Sequence, residues 1–308
     1  MIQPNELHKN IIKNIGEYEI IINHREGSKR TGVWKIRSLS NQRCYYVKTH
    51  SRKSRWHPEV FAYRNWIPEI LPYAPELIES FEGDDWQGIL ITSLDGVTMR
   101  ETNLSQKQEE KAYYKAGELT KLLHTKFKGT YFGRPDCNGN PIEIFHHTDP
   151  VYYIKKSLID LYEKGKKLNC FNSKESFLAE WAIENVDIFK DTHPVPISWD
   201  STPNNWLVNK HGEFIGMIDF ENMLWGIPAD NFTILFERYF SQSPRGKEAF
   251  FRGYGLNDIK DMKLQIKITC IKMGLADLIW GLENKDDRVV KLGKQMLESI
   301  DEFTELEI

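Results

Sequence analysis

The chain has 308 residues, 40% hydrophobic and 28% charged, with 41 basic against 44 acidic side chains and a formal net charge of −3. At roughly 100–200 residues per domain this allows two domains, or two lobes around a cleft, with a sizeable core. The charge balance lacks the basic excess of a nucleic-acid binder, the four cysteines (Cys44, Cys137, Cys170, Cys270) form no CxxC pair, and no apolar run nears the ~18 residues of a membrane span.

In chain order, the polar start MIQPNELHKNIIKNIGEYEI holds no apolar segment followed by a cleavage site. Scattered single thiols suit a reduced interior. The cytoplasm is therefore the expected location, with neither nucleic acid nor membrane as a partner. Glu17–Asn23, Gly32–Arg37 and Cys44–Thr49 read as strands, the last two joined by the turn-like Ser-Leu-Ser-Asn-Gln. His57–Ile67 reads as a helix with Pro58 near its first turn. Glu76–Phe81 and Gly88–Thr92 are again strand-like, and Ser93-Leu94-Asp95-Gly96 makes a plausible hinge.

Beyond the hinge the pattern turns helical. Ser105–Lys126 opens with Ser105 and Gln108 at capping-box spacing, and Phe145–Lys167 and Ser173–Asp191 follow. One β-rich island interrupts: Trp206–Val208 and Phe214–Ile218 flank the turn Asn209-Lys210-His211-Gly212. Helices resume from about Ala229.

The densest chemistry is Ser198-Trp199-Asp200-Ser201-Thr202-Pro203-Asn204-Asn205, followed by Ile218-Asp219-Phe220-Glu221. Phosphoryl transfer needs a carboxylate for the hydroxyl proton and oxygen ligands for a magnesium ion on the phosphates. A loop followed by a hairpin can supply these from Asp200, Asn205 and Asp219. Upstream, Gly27, Ser28 and Thr31 lie in a glycine- and hydroxyl-bearing turn between two strands, whose amides can approach phosphates. It is not a Walker A loop, since no Gly-Lys-Ser/Thr follows, and by itself such a turn is commonly just a hairpin.

The segment around Asp200 resembles the catalytic loop of the aminoglycoside phosphotransferase and choline kinase superfamily, His-Gly-Asp-x-x-x-x-Asn with a later Ile-Asp. The resemblance runs from about residue 20 to residue 236. It implies an α+β, two-lobed, protein-kinase-like fold, with a small β-rich N-terminal lobe (1–93) and a larger, mainly helical C-terminal lobe (94–308). It implies Asp200 as the catalytic aspartate, Asn205 and Asp219 as Mg²⁺ ligands, and Lys48 as the lysine on the α- and β-phosphates. Glu59 is its expected partner, with Glu69 and Glu76 also nearby. Backbone groups near Thr92 and Leu94 would hold the base of ATP, or of GTP. The Leu119–His124 stretch resembles the family's helix ending in Leu-His, with His124 a packed structural residue.

Two departures stand out. Ser198 and Trp199 replace the usual His-Gly. Trp225-Gly226-Ile227-Pro228-Ala229-Asp230-Asn231-Phe232 resembles Gly-Asp-Pro-x-x-Asp-Leu, with either Asp230 or Asn231 as the brace of the catalytic loop. The expected activity is phosphoryl transfer to a small-molecule hydroxyl, an aminoglycoside or related antibiotic first, with Glu237, Asp277 and Glu283 as candidate acidic contacts. Metabolic alcohols such as choline, homoserine, a sugar or a thiamine precursor are the alternative acceptors. A nucleotide-binding pseudokinase scaffold is the alternative of another class. A hydrolase lacks a Gly-x-Ser-x-Gly elbow.

Overall fold

The computed structural model describes residues 5–24, 31–143 and 146–300. Its first elements are α1 (Asn5–Ile15), β1 (Tyr18–Asn23), β2 (Thr31–Ser38), β3 (Cys44–His50), α2 (Lys53–Asn65), β4 (Leu77–Glu82), β5 (Gln87–Thr92) and β6 (Val97–Thr98). There follow α3 (Gln106–Lys126), α4 (Pro150–Leu168), α5 (Ser173–Glu184), β7 (Val195–Ser198), β8 (Trp206–Val208), β9 (Phe214–Met217) and β10 (Met223–Gly226). The chain closes with α6 (Asp230–Arg238), α7 (Pro244–Tyr254), α8 (Leu256–Asp261), α9 (Lys263–Asn284) and α10 (Asp287–Glu298). The class is α+β, sheet first and helices after. No helix among the described residues is long and apolar enough to cross a membrane.

Two compact units form. The first takes Met1–Asn103, Arg134–Ile142 and Pro203–Met223; the second takes Leu104–Gly133, Glu143–Thr202 and Leu224–Ile308. In the first, five antiparallel strands run in the order β1-β2-β3-β5-β4. Strand alternation sorts its residues. Ile36, Tyr45, Val47 and Leu90 turn to one face, where Leu7, Ile11 and Ile15 of α1 complete the core. Those three recur every fourth residue, one stripe of a helix. This is the signal for α1, which reading the N-terminus only for its polarity overlooked. β6, β8 and β9 make a three-stranded sheet in the same unit, with Val97 opposite Val208 and Thr98 opposite Leu207.

Helix α2 starts four residues earlier than expected, so Pro58 lies inside it rather than at its first turn. Proline removes one amide bond there. Burying Trp56, Glu59, Val60 and Tyr63 along α2, with the Trp56 indole donating to the Gly88 carbonyl at 3.0 Å, outweighs that loss. Helix α4 begins at Pro150 rather than 145, with Asp149 accepting from the Tyr152 amide as its cap; residues 144–145 lie outside the described ones. Helix α5 ends at Glu184, and a 3-10 turn (Val186–Phe189) replaces its expected last turns.

In the second unit α3 carries the expected capping box, with the Ser105 amide donating to Gln108 Oε1 at 2.9 Å. Helix α3 packs on α7 through glycines. A Cβ on Gly117 would stand 2.1 Å from the Phe250 carbonyl, and one on Gly253 2.0 Å from that of Tyr114. Val195 and Ile197 of β7 meet Leu224 of β10 in a small core. That core anchors the strand leading into the Ser198–Asn205 segment.

Candidate active site

Lys48 sits near the end of β3 on the face opposite the α1 core, 6% exposed. Its Nζ lies 2.6 Å from Glu59 Oε1, 2.9 Å from Asp219 Oδ1 and 3.8 Å from Glu221 Oε2. Burial pushes the ammonium toward its neutral form, but the carboxylates of Asp219, Glu59 and Glu221 outweigh that and hold it firmly charged. Burial likewise pushes the Glu59 carboxyl up; Lys48 and His50 overcome it and keep the group ionised. Of the three candidate glutamates it is Glu59, from the middle of α2 and wholly buried, that meets the lysine.

Asp219 follows strand β9 with a φ of 66°. The left-handed region is uncommon for a residue with a side chain and recurs at functional sites. The Ile218 amide donates to the Asn205 carbonyl at 2.9 Å, tying the two ends of the β8–β9 hairpin. Asn205 and Asp219 thus border one cavity of about 520 Å³, with Lys48, Leu94 and Gly96. Tyr46 and Val33 line it from the sheet, and Tyr63 from α2.

Thr92 is not among the lining residues: its amide donates to the Glu76 carbonyl at 2.9 Å, and its Oγ1 accepts from the Glu76 amide at 2.8 Å. Gly27 and Ser28 lie outside the described residues, and Thr31 is described only as the first residue of β2.

The lysine's surroundings hold residues that motif reading missed. Arg55 Nη1 meets Glu221 Oε1 at 2.6 Å, and His50 Nε2 meets Glu59 Oε2 at 2.8 Å. Tyr63 packs edge-on to Phe220, and burial pushes its hydroxyl pKa well up. The signal was available in periodicity. Tyr46, Lys48 and His50 alternate onto one face of β3, and Arg55, Glu59 and Tyr63 recur every fourth residue on α2.

Asp200 belongs to the second unit, in the turn after β7. Its amide donates to Ser198 Oγ at 3.2 Å, and the Ser198 amide donates to Asn231 Oδ1 at 2.8 Å. Asn231 therefore braces the loop, while Asp230 turns to Lys272 Nζ at 2.7 Å. Ser198, where the resemblance expects histidine, is buried. Trp199 is 40% exposed.

His124 is buried against Tyr254, Nδ1 to hydroxyl 2.9 Å, and burial drops its pKa to about 3, as suits a packed structural residue. Among the acidic candidates, Glu283 pairs with Lys164 at 2.8 Å on the surface. Burial, then hydrogen bonding and charge from Glu237, pushes Asp277 up to about 8.

An antiparallel sheet with a buried lysine–glutamate pair, an aspartate at a hairpin end and a long helical continuation defines the protein-kinase-like class. The chain belongs to the phosphotransferase enzyme family APH, whose model matches residues 35–264. As a member it is a phosphotransferase acting on hydroxyl groups.

Solved structures agree in fold. A thermostable mutant of aminoglycoside phosphotransferase APH(4)-Ia, in ternary complex with AMP-PNP and hygromycin B, superposes with a TM-score of 0.69 at 14% identity, covering 98% of this chain and 99% of that one. The gentamicin–APH(2")-IIa complex gives 0.59 at 17%, covering 96% of each chain. The GDP and kanamycin complex of APH(2")-IIia gives 0.60 at 14%, covering 97% and 99%. No curated protein matches the sequence.

Proposed function

We propose that this chain moves the γ-phosphoryl group of ATP or GTP to a hydroxyl of a small molecule, an aminoglycoside or related antibiotic, in the cytoplasm, and so acts in antibiotic resistance. The observation that carries the reading is the buried Lys48, held by Glu59 and Asp219 at one edge of a cavity that Asn205 also borders. The structural neighbours complexed with AMP-PNP or GDP, and with hygromycin B, gentamicin or kanamycin, support the nucleotide and the acceptor class.

On this reading residues 1–93 form the nucleotide-binding lobe, and 94–308 the lobe with the catalytic loop and the acceptor site. Lys48 holds the α- and β-phosphates and Glu59 holds Lys48. The Leu94 backbone and the Thr92 carbonyl meet the base, the Thr92 amide being spent on Glu76. Gly27, Ser28 and Thr31 are assigned to the phosphates by the family resemblance of the sequence. The amide oxygen of Asn205 and the carboxylate of Asp219 are hard oxygen donors bordering one cavity, a set that fits Mg²⁺. The ion would supply charge neutralisation on the phosphates.

Asp200 orients the acceptor hydroxyl and takes its proton as the new O–P bond forms; the bond from the γ-phosphorus to the bridging oxygen breaks, and the nucleoside diphosphate leaves. The braces from Asn231 and Ser198 fix the backbone that carries Asp200, which is where most of the rate gain in such a reaction arises.

The test is transfer of radiolabel from ATP or GTP with Mg²⁺ to a pool of aminoglycosides and small metabolic alcohols. The wild type labels an aminoglycoside, and Asp200→Asn binds nucleotide but transfers about 10²–10⁴-fold more slowly. Label on choline, homoserine, a sugar or a thiamine precursor instead would reassign the acceptor. Nucleotide binding without any transfer, or no binding at all, would point to the scaffold.

A further inference from the structure

We propose that His50 is a positioning residue of the nucleotide site, holding Glu59 so that Lys48 is aimed at the phosphates; the inference rests on the reading of Lys48 given above. His50 ends β3, two residues beyond Lys48 and on the same face, and is 3% exposed. Its Nε2 stands 2.8 Å from Glu59 Oε2, and its Nδ1 stands 3.7 Å from Glu221 Oε2. The first approach is at hydrogen-bonding distance though out of line; the second is beyond it.

Glu59 therefore has a neighbour against each oxygen, Lys48 hydrogen-bonded to Oε1 and His50 Nε2 at 2.8 Å from Oε2, one small ring rotation from alignment. A carboxylate held at both oxygens has one orientation; one held at a single oxygen can rotate and carry the lysine with it. The charges make the same point. Glu59, Asp219 and Glu221 put three carboxylates around Lys48 and Arg55, two fixed cations. When nucleotide draws the ammonium toward phosphate, Glu59 remains buried and keeps His50 Nε2 against its Oε2. Glu221 keeps Arg55, at 2.6 Å.

The donor atoms of His50, Glu59 and Glu221 lie within 4.8 Å of one another, a spacing a metal ion could span. Lys48 Nζ, 2.6 Å from Glu59 and 3.8 Å from Glu221, already places a cation against both carboxylates. A divalent ion added beside it meets strong repulsion in a buried site. The geometry thus points to positioning rather than ligation.

The test uses the full chain with His50→Leu, which removes both ring nitrogens, His50→Gln, whose amide reaches the Nε2 position, and His50→Asn, which reaches only Nδ1. Lys48→Met on the same preparation is the reference. We expect His50→Leu to lower kcat/KM for nucleotide about 10- to 100-fold, in the manner of lost outer-shell support, with KM for the acceptor unchanged. His50→Gln should recover to within a few fold and His50→Asn should not.

Equal activity of the Gln and Asn variants would overturn the assignment, and that comparison stands even if the Leu variant fails to fold. An unaffected His50→Leu beside a crippled Lys48→Met would also overturn it. A Lys48→Met with unaltered nucleotide affinity and turnover would instead remove the underlying reading of the nucleotide site. Elemental analysis of the wild type should find no stoichiometric transition metal; one ion per chain, lost in His50→Leu, would replace positioning with ligation.

Discussion

At the scale of single residues, Lys48 shows how a charge survives burial. Desolvation alone would neutralise it, and three carboxylates reverse the sign. Breaking such a set from one side leaves uncompensated charge, so Lys48→Met should destabilise the fold by ~3 kcal/mol, read from urea unfolding. Removing both partners together, Lys48→Met with Glu59→Leu, should recover much of that loss, because nothing ionised is then left without its counterion. Equal loss in the single and double variants would mean that packing dominates the site. The glutamate partner was open in the sequence among Glu59, Glu69 and Glu76; only the placement of α2 against β3 singles out Glu59. The brace of the catalytic loop was open between Asp230 and Asn231 for the same reason. A one-residue step along a helix turns the side chain by about 100°, and here it sends Asp230 to Lys272 and Asn231 to Ser198.

At the scale of elements, the crossing of α3 and α7 reverses a local rule. Helix propensity favours alanine over glycine by ~1 kcal/mol, so Gly117→Ala should stabilise an isolated α3. In the fold its Cβ would stand 2.1 Å from a backbone carbonyl that has no flexible end to yield. We expect Gly117→Ala to cost ~1–3 kcal/mol by overpacking, seen as a lower melting temperature. An unchanged or raised melting temperature would show that the two helices separate at little cost. Helix α1 behaves in the opposite way, as an ordinary amphipathic element. Ile11 is fully buried between the sheet and its neighbours Leu7 and Ile15, and Ile11→Ala should cost ~2–5 kcal/mol by leaving a cavity. A loss below ~1 kcal/mol would mean α1 detaches without unfolding the sheet.

At the scale of the whole molecule, the buried His124 and the half-buried Asp277 shape the response to pH. His124, dropped from 6.5 to about 3, is neutral in the fold. Its stabilising contribution is complete above pH 6.5 and is lost as pH falls toward 3. Asp277, raised from 3.8 to about 8, holds a proton in the fold that the unfolded chain gives up. Its contribution is complete below about pH 4 and is lost as pH rises through 8. The two slopes oppose each other between 3.8 and 6.5, and above 6.5 only that of Asp277 remains. Chemical denaturation from pH 6.5 to 8.5 should therefore show falling stability in the wild type and a flatter profile in Asp277→Asn, with a relative gain of ~1 kcal/mol at the alkaline end. Parallel profiles would mean that Asp277 is ionised throughout.

By itself the sequence determined the α+β order of sheet and helices, the strands by alternation, the capping box at Ser105 and the family motif from Asp200 to Asp219. Each of these is encoded by residues close along the chain, where turn chemistry and period speak directly. Tertiary structure alone decided that the β8–β9 hairpin groups with the sheet unit, that Glu59 and Asp219 close on Lys48, and that His50, Arg55 and Glu221 surround them. Those partners come from up to 171 residues apart. Their meeting depends on how a strand, a helix and a hairpin pack together, and on buried charges finding counterions where water no longer screens them.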